Sequence, residues 1–103
     1  MSQFFVTPFD PYAPGAYAIQ DVFAEEFMRP DHANFALFEG EEEGSDRHML
    51  LLVTPALDRV PATAVSAKWT QTYDLPAATW RLLVGSGDPW ERFGLPSPRR
   101  GAP

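Results

Sequence analysis

Asn34-Phe35-Ala36-Leu37-Phe38-Glu39, Gly40-Glu41-Glu42-Glu43-Gly44-Ser45-Asp46 and Arg47-His48-Met49-Leu50-Leu51-Leu52-Val53-Thr54 follow one another in a chain of 103 residues. They read as strand, turn and strand. In the first segment Phe35 and Leu37 alternate with Ala36 and Phe38, the period of two that a pleated strand imposes. The middle of the last segment is apolar on both alternating faces, which marks a central strand. Between them three consecutive glutamates flanked by glycines cannot pack. The unit expected is a β-hairpin over 34–39 and 47–54 with an acidic tip.

Upstream, residues 16–28 predict the main helix. Ile19, Val22, Phe23 and Phe27 fall at i, i+3, i+4 and i+8 and make one apolar stripe. Gln20, Asp21, Glu25 and most of Glu26 face away from it. Asp21 and Glu25 lie one turn apart and repel by a few tenths of a kcal/mol. Arg29 suits the C-terminal end of the dipole and Pro30 discourages continuation. Before this helix, residues 4–15 form an aromatic arm in which Pro8, Pro11 and Pro14 recur every third residue, the period of polyproline II. Phe4, Phe5, Phe9 and Tyr12 either fold back over the domain's own core or dock on a partner.

Downstream, Pro55 and Pro61 bracket an irregular connection. Val65, Ala67 and Trp69 alternate with Ser66, Lys68 and Thr70, predicting a third strand over 63–70. Residues 78–84 are a fourth strand, with a short helix after Pro76 as the competing reading. Asp88-Pro89-Trp90-Glu91-Arg92-Phe93-Gly94 carries a cap, a first-turn proline, a capping-box glutamate and a terminal glycine, the signals of a miniature helix. Residues 95–103 read as a loose tail. The expected architecture is a single α+β domain over 1–94. One main N-terminal helix packs on a small, mostly antiparallel sheet of three to four strands, with a short C-terminal helix.

A chain of this length supports one core and buries roughly 65% of the surface its unfolded form exposes. Its 45% hydrophobic and 14% aromatic content is enough for that core. It has no cysteine, so neither disulfides nor thiolate metal sites are expected. No basic residue precedes Arg29, and prolines interrupt every early apolar stretch, which argues against a signal peptide. No run reaches the ~20 residues of a membrane span, and the cytoplasm is the expected compartment. One lysine against seven arginines, with many Ala and Pro, is the composition of a GC-rich bacterial or phage coding sequence.

Charge is distributed unevenly. Residues 1–46 hold ten acids and one base for a net of −9, and residues 47–103 hold four acids and seven bases for +3, giving −6 in all. That polarity disfavours direct contact with nucleic acid or an anionic membrane and suits a basic protein surface. The plainer alternative is a solubilising coat.

Catalytic signals are sparse. The two histidines, His32 and His48, could ligate a metal together with Glu41, Glu42 or Glu43, but no spacing matches a known zinc or calcium pattern. There is no nucleophile elbow. Gly85-Ser86-Gly87-Asp88 lacks the lysine of a phosphate loop, and its aspartate would repel an anion. No metal or cofactor is expected.

The function these features suggest is a small acidic, non-enzymatic module that blocks or neutralises a basic partner such as a nucleic-acid-binding protein or a toxin. Two patches could carry it: Asp21, Glu25 and Glu26 on the helix, and Glu39, Glu41, Glu42, Glu43 and Asp46 at the hairpin. Nuclease inhibitors, immunity proteins and anti-CRISPR proteins share this size and charge, an analogy of composition alone. The alternatives are a homodimeric or larger assembly subunit that exchanges the aromatic arm, and a small enzyme or ligand binder around His32 or His48.

Overall fold

The hairpin forms as its alternation requires. In the computed structural model, which describes residues 3–31, 34–55, 57, 60 and 68–85, β2 (Ala36–Glu42) and β3 (His48–Thr54) pair antiparallel from Ala36↔Val53 to Glu41↔His48. The Glu42 amide donates to the Arg47 carbonyl at 2.9 Å, and Gly44 takes a positive φ of 79° in the turn. β2 runs three residues past its expected end at Glu39. The reason is steric and lies on the neighbouring strand: the indole of Trp80 stands over the bare Cα of Gly40, where any Cβ would overlap the ring. Gly40 is therefore a packing position rather than the start of a turn.

The first strand, β1 (Gln3–Phe9), occupies the first half of the predicted polyproline arm. It pairs with β3 along its whole length, from Gln3↔Thr54 to Phe9↔His48. Phe4, Phe5, Val6 and Thr7 favour a half-buried pleated surface, and the edge of β3 supplies the partner that local periodicity cannot reveal. Pro8 is tolerated because β4 (Thr70–Thr72) covers only Phe4–Val6, leaving the outer edge of Thr7–Phe9 unpaired. The remaining prolines fall in successive turns, Ala13 to Asp10, Ala16 to Ala13 and Ala18 to Gly15, with Gly15 at φ 70°. Phe5 and Phe9 pack into the chain's own core, whereas Tyr12 is 86% exposed.

α1 (Ala18–Phe27) follows β1, so the helix is the second element and not the N-terminal one. Ile19, Phe23 and Phe27 face the sheet as expected, but Val22 lies at the margin of the stripe and is 38% exposed. β5 (Ala78–Val84) is a strand, not the competing helix, and pairs antiparallel with β2 through a register shift near Leu37. The sheet has five antiparallel strands in the order β4-β1-β3-β2-β5. β3 sits at its centre, as its apolar character on both faces requires. Of the expected strand 63–70, residues 63–67 lie outside the described set, and of the described residues 68–70 only Thr70 pairs. The miniature helix at 88–94 and the tail at 95–103 also lie outside it.

Both faces of the sheet are apolar. On one, Phe5, Leu37, Leu50, Leu52 and Val84 pack with Phe23 of α1 and Phe35. On the other, Phe38, Met49, Leu51, Val53 and Trp80 form a second cluster joined by Leu75. Among the described residues no helix is long and apolar enough to cross a membrane.

Candidate functional site

Strand alternation places Glu39 on the same face as Leu37, beneath the start of α1. Its residue exposure is only 9%, and a buried carboxylate needs partners. It has them from two other elements. Arg81 Nη2 of β5, directly across the register from Glu39, donates to Oε1 at 2.6 Å, and the Tyr17 hydroxyl donates to the same oxygen at 2.9 Å. His48 Nδ1 lies 3.7 Å from Oε2, close enough for an ion pair when the imidazole is protonated but too far for a hydrogen bond. That nitrogen is buried without a hydrogen-bond partner.

The cluster ties α1, β2, β3 and β5 together near the hairpin end of the sheet. Gln20 adds a second tie by donating to the Leu83 carbonyl at 3.3 Å. Phe9 meets the Tyr17 ring edge-on at 5.3 Å, and Tyr12 meets His48 at 6.1 Å. Burial first, and then the hydrogen bond and charge of Glu39, push the Tyr17 phenol above its ordinary value of 10.0. The same hydrogen bond raises Arg81, against the opposing effect of desolvation. With a guanidinium and a phenol already on Oε1, Glu39 acts as an internal strut.

The Tyr17 shift has a measurable consequence. The folded chain holds the phenolic proton more tightly than the unfolded chain does. The resulting stability is complete below about pH 10, the unfolded value, and is lost as pH rises through the folded one. Tyrosinate absorbance should show Tyr17 ionising above 10.0, and Glu39→Gln should bring it down by removing the adjacent negative charge. Ionisation at or below 10.0 would contradict the half-buried hydrogen bond to Glu39.

The structure divides the acids singled out by sequence into two groups. Glu39 is buried in β2 and is not at the hairpin tip. Glu42 is half-buried in β2; it accepts from Arg47 Nη2 at 3.3 Å and from Ser45 Oγ at 3.1 Å. Glu26 pairs with Arg29 at 3.9 Å. By contrast Asp21, Glu25, Glu41, Glu43 and Asp46 are exposed and make no side-chain ion pair among the described residues. Asp21 has a structural use, because it occupies the first turn of a helix whose N-cap, Tyr17, makes no capping bond. The other four have none.

Among the described residues no three histidine or carboxylate side chains converge as a metal-holding group, and His32 lies outside that set. Sequence reasoning missed Tyr17 and Arg81 as partners of Glu39. The available signal was parity: Glu39 stands two residues beyond Leu37, hence on the core-facing side of β2. Beside His48, on the face opposite α1, a groove of about 940 Å³ opens between the β1–α1 loop and the hairpin turn. Set against known proteins, the chain matches no family model, no curated protein and no solved structure.

Proposed function

We propose that this chain is a non-enzymatic binding protein that holds a basic protein surface through the exposed carboxylates of its hairpin, Glu41, Glu43 and Asp46, with Asp21 and Glu25 as a second patch. The observation that carries this reading is an asymmetry of pairing. Arg29, Arg47 and Arg81 are each engaged by carboxylates of the same chain, leaving Lys68 as the remaining cation among the described residues. Among the described residues nothing pairs with the exposed hairpin acids Glu41, Glu43 and Asp46. A solvated carboxylate without an internal partner contributes little to the fold, yet it attracts a basic partner over a Debye length of about 8 Å.

Such a surface speeds encounter with Lys- and Arg-rich proteins and repels phosphate backbones. Covering the basic face that another protein uses for nucleic acid would neutralise that protein. The test begins with affinity capture of a partner and continues with charge reversal. Glu41→Lys, Glu43→Lys and Asp46→Lys together should weaken the captured complex by about tenfold or more. Each substitution should shift stability by only about ±0.5 kcal/mol. Asp21→Lys with Glu25→Lys is the matched comparison. Unchanged affinity after reversal of both patches would reduce the charge to a solubilising coat and end this reading.

A further inference from the structure

The groove beside His48 has a composition that selects its occupant. Its floor is the sheet face opposite α1: Val6 and Pro8 of β1, Met49 of β3 and Thr70 of β4. β4 stops alongside Val6, so the outer edge of β1 at Thr7–Phe9 is unpaired; Pro8 and Thr70 are exposed there, Val6 is half-buried and Met49 is buried. The rim comes from two loops. After β1, Asp10 accepts the Tyr12 amide at 3.0 Å, which fixes the loop and leaves the Tyr12 ring standing in solvent. From the hairpin come Glu42, Asp46 and Arg47.

The rim charges do not balance. Its one described arginine, Arg47, is held by Glu42 at 3.3 Å, and among the described residues no cation pairs with Asp10 or Asp46. An apolar floor under two unneutralised carboxylates and an exposed aromatic ring fits a long aliphatic stem ending in a positive charge. Lysine and arginine bury such stems while keeping the charged head at the rim, and the Tyr12 face adds a cation–π contact. Anionic ligands are repelled, and a purely apolar ligand would leave the carboxylates unused.

We propose that this groove is the docking site for an Arg- or Lys-bearing segment of the protein partner. The proposal rests on the acidic-binding reading above and narrows it to one end of the sheet.

The test titrates the isotope-labelled full chain with a blocked Leu-Arg-Leu-Arg peptide, and with Leu-Glu-Leu-Glu as the control, following backbone amide shifts. The proposal expects shifts at Asp10, Tyr12, Arg47 and Met49 with the arginine peptide alone. Tyr12→Ala should weaken binding by roughly three- to tenfold, as loss of one cation–π contact implies, and Asp46→Asn should weaken it further. Tyr12 and Asp46 are both exposed, so an unchanged circular dichroism spectrum should confirm that these variants fold. Shifts confined to Asp21 and Glu25 would overturn the groove while leaving the acidic reading standing. Equal shifts from both peptides would overturn charge selection, and no shifts with either would overturn both readings.

Discussion

Phe23→Ala should lower the unfolding free energy by about 3–5 kcal/mol, the range for deleting a large aromatic from a packed core. Phe23 is the one fully buried side chain of α1 among the described residues. It meets Phe35 edge-on at 5.5 Å and Trp69 at 6.4 Å, and Phe27 also meets Phe35 edge-on at 5.6 Å. Removing it leaves a cavity at the centre of the helix–sheet contact and takes an aromatic partner from both Phe35 and Trp69. Domains of this size are stable by only about 5–15 kcal/mol, so one substitution takes a large share of the total. Val22 lies on the same helix but is 38% exposed, and Val22→Ala should cost far less. Urea unfolding of both variants checks the contrast. A loss below about 1 kcal/mol for Phe23→Ala would mean that α1 is not anchored as described.

The second large effect has an unexpected sign. A glycine inside a strand is ordinarily a weakness, and alanine should improve it by roughly 0.5–1 kcal/mol. At Gly40 the reverse is expected, because the new Cβ would enter the volume of the Trp80 indole, which is itself buried. Overpacking of this kind costs about 1–3 kcal/mol, and the bulkier Gly40→Val should cost more. The clash is with one side chain, so the two positions should be coupled. In a double-mutant cycle, Trp80→Leu should make Gly40→Ala much less costly than it is beside tryptophan. If Gly40→Ala stabilises the chain, the approach of Trp80 to β2 is wrong.

The legible parts of this fold were those that carry a long pattern. β3 declares its central place because Met49–Val53 is apolar on both faces, and α1 declares itself through Ile19, Phe23 and Phe27. β1 was hidden for a physical reason. Its prolines mimic a polyproline period, while the strand exists only because the edge of β3 is there to pair with it. β4, at three residues, is too short to show any period.

The candidate site divides in the same way. The exposed acids Glu41, Glu43 and Asp46 could be found by composition. Glu39 was grouped with them by charge, although its parity with Leu37 placed it in the core. Tyr17 and Arg81 are 22 and 42 residues from Glu39 in the chain, and only the sheet order brings them together.

The central claim is that uncommitted carboxylates draw this chain to a basic partner. Its most direct test is the association rate with the captured partner, followed as ionic strength rises from about 0.01 to 1 M, over which the screening length falls from roughly 30 to 3 Å. The account predicts a steep fall in rate for the native chain. For the variant carrying Glu41→Lys, Glu43→Lys and Asp46→Lys it predicts a slower rate at low salt and a flattened or inverted dependence. A rate independent of salt, and equal in the two proteins, would contradict it.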